Sequence, residues 1–265
     1  MTDKIIMLAS YPKTGSTWLR RLIIEALMKK GKLAEVIPSF LKTLPQNSPN
    51  FHLLGTTARI IKTHLHTLDK RVINMNVDLA GIITMRRHPL DVMLSSLNYA
   101  FLKENAATFI DGRPKPVDQI IADCEIDHYV DEFIANDGMT WLNLQSGGYS
   151  TYLNGWRRIG EAVPYYEICY EDMVADTRRE AAGLLAFLGI PYDSAKVEDL
   201  IQVVDKRTQP DGRFYWSRRS YNFETRLSEE TIQRFYKGYM PVLIDHGYGV
   251  LGRRDATSET ATANQ

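Results

Sequence analysis

A nine-residue stretch near the start of the chain most strongly limits what this sequence can fold into. It spans residues 10–18 and reads Ser-Tyr-Pro-Lys-Thr-Gly-Ser-Thr-Trp. The apolar run 5–9 before it has the length of a buried strand. After it, apolar residues recur at helical spacing from Trp18 to Leu27, and Gly31 stands where such a helix would stop. The stretch is therefore predicted to be a tight loop that joins a strand to the N-terminus of a helix.

The composition of this loop favours an anion. At a helix N-terminus, unpaired backbone N–H groups and the positive end of the helix dipole face the same point. Lys13 adds a full positive charge beside Gly15, and hydroxyl groups can add further donors from Thr14, Ser16 and Thr17. A capped turn without any ligand explains the same residues. The coincidence of Lys, Gly and hydroxyl groups at this junction nevertheless favours an anion site.

Composition bounds the class of protein. The chain has 265 residues, of which 44% are hydrophobic and 24% charged, as is typical of a soluble globular protein. Its formal net charge is zero, so we expect no nucleic-acid partner. Cys124 and Cys169 have neither metal-ligand spacing nor a disulfide framework. Because no apolar run is long enough for a signal peptide or a membrane span, we expect a cytoplasmic protein without a membrane partner.

Short apolar segments alternate with amphipathic helical segments along the chain. Besides the first strand, we predict strands at 58–62, 80–85 and 165–170. This alternation is typical of an α/β protein with a central parallel sheet and helices on both faces. No linker separates two cores, so residues 1–252 are expected to form one domain. The polar tail 253–265 lacks periodicity and is expected to be disordered.

Two segments interrupt this alternation. Residues 32–57 are rich in Pro, Asn and Ser, and residues 103–148 contain several chain breakers. The second segment is predicted to be either a pocket wall or lid, or a solvated connection. We expect residues 32–57 and 97–148 to border a substrate pocket. Aromatic residues there suggest an apolar lining, although they equally fit a core: Phe101, Phe109, Tyr129, Phe133 and Trp141.

Polar residues follow the predicted strands at the edge where ligands gather in parallel sheets. We expect these residues to converge on a pocket for an anionic ligand: Lys13, Lys62, His64, Arg87 and Tyr170. A histidine there can accept a proton near neutral pH, as general base catalysis requires. A purely structural histidine is the commoner case, and His66 and His88 lie nearby as competitors.

Arg87, together with Ser95 and Trp18, also suits a nucleotide. Arg87 and Ser95 are spaced so that a guanidinium and a helical hydroxyl could hold one phosphate from two sides. A serine in a helix more often faces solvent. Trp18 has the planar surface to stack on a purine, and a core tryptophan is the alternative interpretation.

Four segments together resemble the sulfotransferases that use 3′-phosphoadenosine 5′-phosphosulfate (PAPS). Residues 11–18 resemble the Tyr-Pro-Lys-Ser-Gly-Thr-Thr-Trp loop for the 5′-phosphosulfate, with only Ser and Thr exchanged. Residues 61–65 are similar to the segment Lys-Thr-His-Leu, and residues 87–95 to the 3′-phosphate segment with its Arg and Ser. Residues 170–173 match Tyr-Glu-Asp-Met, whose Tyr lies beside the nucleotide.

The resemblance implies a fold, a reaction and roles for these residues. It implies a loop similar to a P-loop, and transfer of a sulfuryl group from PAPS to a hydroxyl or amine of a small-molecule acceptor. The product is adenosine 3′,5′-bisphosphate (PAP), and no metal is implied. His64 would be the base, Lys13 would stabilise the bridging oxygen, and Lys62 would steady the sulfuryl oxygens. The remaining nucleotide contacts would come from residues Thr14, Gly15, Ser16, Thr17, Trp18, Arg87, Ser95 and Tyr170.

One segment departs from the family pattern. The family commonly ends with Arg-Lys-Gly followed by Gly-Asp-Trp over the 3′-phosphate, whereas residues 214–223 lack the glycines. Arg218 or Arg219 is expected to supply the cation there. The sequence is also compatible with two other functions. One is a P-loop kinase, although in a P-loop the lysine follows the last glycine, whereas here Lys13 precedes Gly15. The other is a nucleotide-binding module without turnover. A homo-oligomer is compatible with the sequence.

Overall fold

A central sheet positions the rest of the chain. We describe it from a computed structural model, which describes residues 4–27, 32–209 and 218–249. Five strands are parallel, in the order β2-β4-β1-β5-β6, and β3 pairs antiparallel with β4. The strands in chain order are β1 (Lys4–Ser10), β2 (Ser39–Phe40), β3 (Phe51–Leu53), β4 (Thr56–Thr63), β5 (Asp78–Arg86) and β6 (Tyr165–Cys169).

Helices occupy most of the remaining described chain. Their ends follow ordinary capping chemistry; for example, Pro89 occupies the first turn of its helix, and Gly189 ends another helix with a φ of 70°. The helices are α1 (Ser16–Ala26), α2 (Leu33–Val36), α3 (Lys70–Ile73), α4 (Pro89–Leu102), α5 (Val117–Ala122), α6 (Ile126–Asn136), α7 (Thr140–Ser146), α8 (Tyr149–Gly160), α9 (Tyr170–Ala175), α10 (Thr177–Leu188), α11 (Ser194–Arg207) and α12 (Glu229–Asp245).

The sheet separates two hydrophobic cores because alternate side chains of a strand point to opposite faces. On β1, Ile5 and Met7 belong to one core, and Ile6 and Leu8 belong to the other. Helices α4, α6, α8 and α12 contribute to the first core, and α1, α10 and α11 to the second. This layering confirms the expected parallel α/β sheet with helices on both faces.

The strand predictions are confirmed for 58–62 and 80–85, which lie in β4 and β5. The strand predicted at 165–170 is one residue shorter, because Tyr170 is already the first residue of α9. The polar tail expected to be disordered, residues 253–265, and the helix stop at Gly31 lie outside the described residues.

The two segments without a clear pattern do contain regular structure. Residues 32–57 include the short strands β2 and β3, and residues 103–148 include helices α5, α6 and α7. Within the described ranges, no helix is both long enough and apolar enough to cross a membrane.

Candidate functional site

The loop between β1 and α1 has an unusual backbone. Lys13 has a φ of 72° and Gly15 a φ of 110°, both in the left-handed region. For Lys13 this conformation costs energy, so the surroundings must hold it. A side chain at position 15 would also be excluded by space, since a Cβ there would lie 2.7 Å from Cδ2 of Tyr170. Glycine is therefore required at this point of the loop.

The N-terminus of α1 is open toward a ligand. Gly15 is its N-cap, and within the described part of the chain no side chain caps the first N–H groups of this helix. Its first backbone N–H groups thus keep the character of an anion site. Ser16 and Thr17 line the cavity in front of it.

One cavity of about 500 Å³ lies at the carboxyl edge of the sheet, in front of this loop. Four cationic side chains line it, and the described part of the chain contributes no acidic side chain to its lining. The lining residues are Pro12, Lys13, Gly15, Ser16, Thr17, Trp18, Lys62, His64, Arg87, Ser95, Tyr99, Trp141, Leu142, Gln145, Tyr170, Thr208 and Arg218. The cavity therefore combines a concentration of positive charge with an apolar part of its wall.

His64 faces this cavity from the end of β4, and its two ring nitrogens have different partners. Nδ1 lies 2.5 Å from the carbonyl oxygen of Ser10, so Nδ1 carries the proton and donates it. Nε2 is then the basic nitrogen, and it contacts Nζ of Lys62. The ring is thus oriented with its basic atom toward a cation.

Burial and mutual repulsion make these groups less basic than usual. Burial, together with the charges of Arg20 and Lys13, lowers the pKa of Lys62 to about 7. Burial and the charge of Arg87 lower the pKa of Lys13 to about 8. Burial and the neighbouring charge of Lys62 lower the pKa of His64 to about 3. An anion in the cavity would offset the repulsive part of each shift.

Arg87 forms the second cationic wall, at the end of β5. Its guanidinium is buried, lies 3.2 Å from Oδ2 of Asp91, and stands 4.0 Å over the ring of Tyr170. Asp91 also accepts a hydrogen bond from the backbone N–H of Phe223 at 3.2 Å, so it ties this wall to the C-terminal part of the chain. Ser95 lies two turns along α4 and lines the same cavity, as the predicted phosphate pair requires.

Trp18 is both a core residue and part of the cavity wall. Its side chain is 5% exposed, and its ring meets that of Tyr170 edge-on at 5.9 Å. The guanidinium of Arg218 stands 4.4 Å over the indole ring and forms an ion pair of 2.6 Å with Asp205. The two interpretations of Trp18 are therefore compatible.

Part of the cavity is mostly apolar. Tyr99, Trp141 and Leu142 line it, with Gln145 as the polar member. This arrangement makes α7 a pocket wall, one of the two interpretations of residues 103–148. Of the five aromatic residues suggested as lining, only Trp141 lines the cavity in the described chain; Phe109, Tyr129 and Phe133 are core residues, and Phe101 packs against that core.

Some predicted residues lie away from the cavity. Thr14 is buried, and its hydroxyl donates to the carbonyl of Tyr11 at 2.8 Å, so its side chain supports the loop from behind. Arg219 is exposed, and its carbonyl oxygen accepts from Arg87 at 3.4 Å. His88 is fully buried and caps α4, where its Nδ1 accepts from the N–H of Leu90 at 3.2 Å.

Helix α8 supports the site in a way that the sequence interpretation missed. Three of its buried aromatic residues donate hydrogen bonds to backbone carbonyls of the strand ends. Tyr149 donates to Arg87 at 2.7 Å, Tyr152 to Thr63 at 3.1 Å, and Trp156 to Leu65 at 3.2 Å. Only the spacing of these aromatic residues by three and four positions could have indicated a shared face.

No set of metal ligands is found in the described part of the chain. Within the described ranges, no group of three or more His, Cys, Asp or Glu side chains could hold a metal ion. Both cysteines are free, with Cys124 exposed and Cys169 buried.

Comparisons with known proteins agree with this geometry. The family model described as "Sulfotransferase domain" matches residues 3–239. Sulfotransferase 1A1 of Bos taurus is 23% identical over 74% of this chain and 63% of its own length. The 3-alpha-hydroxysteroid sulfotransferase of Cavia porcellus is 24% identical over 71% and 59%, respectively. The matched part of the chain thus spans about three fifths of the length of these curated relatives.

Solved structures share the fold. Mouse sulfotransferase SULT7A1 complexed with PAP superposes with a TM-score of 0.59 at 16% identity, covering 92% of this chain and 85% of that one. Retinol dehydratase in complex with androsterone and inactive cofactor PAP gives a TM-score of 0.65 at 14% identity, covering 91% and 81%.

Anion binding at this cavity should depend on pH in a defined direction. A bound anion raises the pKa values of Lys62 and Lys13 above their free-state values of about 7 and 8. Binding therefore takes up protons above pH 7, and affinity for PAP should fall as pH rises from 7 to 9. The expected slope is roughly tenfold per pH unit for each coupled proton.

Calorimetric titration with PAP in buffers of different ionisation enthalpy measures both the affinity and the proton uptake. The matched variant Lys13→Arg keeps its charge throughout this range, so its slope should be smaller. An affinity that is flat between pH 7 and 9, without proton uptake, would contradict the assignment.

Proposed function

The chain belongs to the sulfotransferase family, and from that premise we propose that it transfers a sulfuryl group from PAPS to a hydroxyl or amine of a small molecule, releasing PAP. One observation carries the proposal. The loop around Lys13, the imidazole of His64, and the pair Arg87 and Ser95 all line a single cavity. Each of these supplies a part that the reaction needs.

The cavity suits a nucleotide with a phosphate at both ends. We assign the 5′ end to the N-terminus of α1 and to Lys13, where uncapped N–H groups and a cation meet. We assign the 3′-phosphate to Arg87 and Ser95. Trp18 then offers its ring to the base once the guanidinium of Arg218, which stands 4.4 Å over that ring, moves aside. Arg218 is the candidate cation for closing the site over the 3′-phosphate.

His64 acts as the general base. Its Nδ1 donates to the carbonyl of Ser10, so Nε2 is the atom that accepts the proton from the attacking hydroxyl. The oxygen of the acceptor forms a bond to sulfur while the bond from sulfur to the bridging oxygen breaks. The electron pair of that broken bond stays on the 5′-phosphate of PAP.

The lysines stabilise the charge that moves in this step. Lys13 faces the oxygen on which negative charge develops, and Lys62 steadies the sulfuryl oxygens. Because Nζ of Lys62 contacts Nε2 of His64 in this structure, Lys62 must turn away before the base can act. Sulfuryl oxygens provide a competing partner for that ammonium group.

The nucleotide also makes the base competent. With a pKa of about 3, His64 is too weak a base to accept a proton effectively near neutral pH. The negative charge of the nucleotide offsets the field of Lys62 and Lys13, and so raises the pKa of His64. Donor binding therefore makes proton transfer to His64 more favourable.

The acceptor is a small molecule with an apolar body. Tyr99, Trp141 and Leu142 provide an apolar wall, and Gln145 provides one amide for a polar substituent. We also propose that the protein works in the reducing cytoplasm, which agrees with two free cysteines, one of them exposed.

A transfer assay with PAPS labelled at sulfur tests the function. Wild-type protein should move the label to a member of a panel of phenols, alcohols and amines, whereas His64→Ala should lose roughly 100-fold or more of the turnover. Affinity for PAP should be retained in that variant. Turnover unchanged in His64→Ala would disprove the base assignment, and transfer of phosphate from labelled ATP with Mg²⁺ would support the kinase alternative instead.

Arg87→Met should weaken PAP binding by roughly 10- to 100-fold, because a charge-assisted pair of hydrogen bonds to phosphate is lost. Arg86→Met is the matched control: Arg86 is the adjacent arginine, pairs with Glu167 at 2.9 Å, and does not line the cavity. Titration calorimetry on the folded variants measures both. Equal losses in the two variants would contradict a phosphate contact at Arg87.

A further inference from the structure

We propose that Tyr99 is a positioning residue for Lys13, holding the lysine ammonium group over the face of its ring. The proposal rests on the proposed function, in which Lys13 stabilises charge on the leaving oxygen. Nζ of Lys13 lies 4.2 Å from the centroid of the Tyr99 ring, within the range of a cation–π interaction. Tyr99 lines the same cavity as Lys13.

Lys13 needs such a partner for two reasons. Its backbone has a φ of 72°, which costs energy for a residue other than glycine, and its side chain is long and flexible. The charge of Arg87 also repels the ammonium group of Lys13; burial, and then this repulsion, lower the pKa of Lys13. Attraction to a ring face counteracts both the flexibility and the repulsion.

A ring also has an advantage over a carboxylate at this position. A carboxylate would fix the ammonium group but would cancel the charge that the phosphosulfate requires. The π face of Tyr99 fixes the ammonium group and leaves its net charge intact. This agrees with the described lining of the cavity, which has no acidic side chain.

The position of Tyr99 on its helix fits this role. It lies one helical turn after Ser95 on α4, so the two residues share a face of the helix. Its ring is in turn stacked on that of Trp141, with centroids 6.2 Å apart and planes 10° from parallel. Helix α4 thereby serves both ends of the nucleotide site, with Ser95 for the 3′-phosphate and Tyr99 for Lys13.

The contact is testable without any substrate. Protons near the face of an aromatic ring are shifted upfield by its ring current. In protein carrying ¹³C-labelled lysine, the ε-methylene signal of Lys13, identified by its loss in Lys13→Arg, should be shifted upfield. Tyr99→Leu should return the signal to the ordinary lysine range, and Tyr99→Phe should keep it shifted. An unshifted Lys13 signal in wild-type protein would overturn the proposal.

Kinetics tests the consequence. Tyr99→Leu should lower kcat by roughly tenfold at saturating PAPS and acceptor, the effect of one partly desolvated cation–π contact, with KM for PAPS nearly unchanged. Tyr99→Phe should restore kcat. Tyr99→Met is a second variant without a ring, for use if Tyr99→Leu fails to fold. A rise in the acceptor KM alone, with kcat within twofold of wild type, would mean that Tyr99 only lines the acceptor pocket.

The two measurements separate the failure of this proposal from the failure of the proposed function. Absence of sulfuryl transfer by wild-type protein would refute the function, while the Lys13 signal would still decide whether Tyr99 holds the ammonium group. Transfer by wild-type protein with undiminished kcat in Tyr99→Leu would refute the positioning role alone.

Discussion

Positive charge gathers at the carboxyl edge of the sheet, where burial and the charges of Arg20 and Lys13 lower the pKa of Lys62. Arg20 is buried, and it donates to backbone carbonyls of residues 33 and 37. Gathering like charges in a partly buried cavity is unfavourable unless a counter-charge arrives. The cavity is therefore arranged for an anion. Burial and the same field lower the pKa of His64, and the charge of a nucleotide offsets the part that comes from the field.

Aromatic rings contact two of these cations. The ring of Tyr99 holds Lys13 in the proposal above, and the ring of Trp18 lies under Arg218. Such contacts fix a cation without cancelling its charge, which a carboxylate would do. Two of the cations also face a carboxylate: the guanidinium of Arg87 lies 3.2 Å from the buried Asp91, and that of Arg218 lies 2.6 Å from Asp205. Behind this set of side chains, the hydrogen bonds from α8 to backbone carbonyls keep the ends of β4 and β5 in register with the loop.

The features of the fold and the site that depend on neighbouring residues could be predicted from the sequence, whereas those that depend on residues distant in sequence could not. His64 and Arg87 stand directly after a strand, and Lys13 lies three residues after one. Because parallel strands end at one edge, the convergence of these residues follows from the sheet alone. The contact between Tyr99 and Trp141 could not be predicted, because the two residues lie 42 positions apart in sequence and on different helices. Helices α5 to α7 were missed because the Gly and Pro residues before them hide short helices whose stability comes from tertiary packing. The choice between Arg218 and Arg219 needed the register of an irregular segment, which no local pattern provides.

The claim that the two walls of this cavity grip the two phosphate ends of one nucleotide can be tested by comparing two ligands. Titration calorimetry with PAP and with adenosine 5′-monophosphate, at pH 7 and the same ionic strength, isolates the 3′-phosphate. The account predicts that PAP binds at least tenfold more tightly, as the loss of a charge-assisted phosphate contact implies, and that most of this difference disappears in Arg87→Met. Equal affinities for the two ligands in wild-type protein would contradict it.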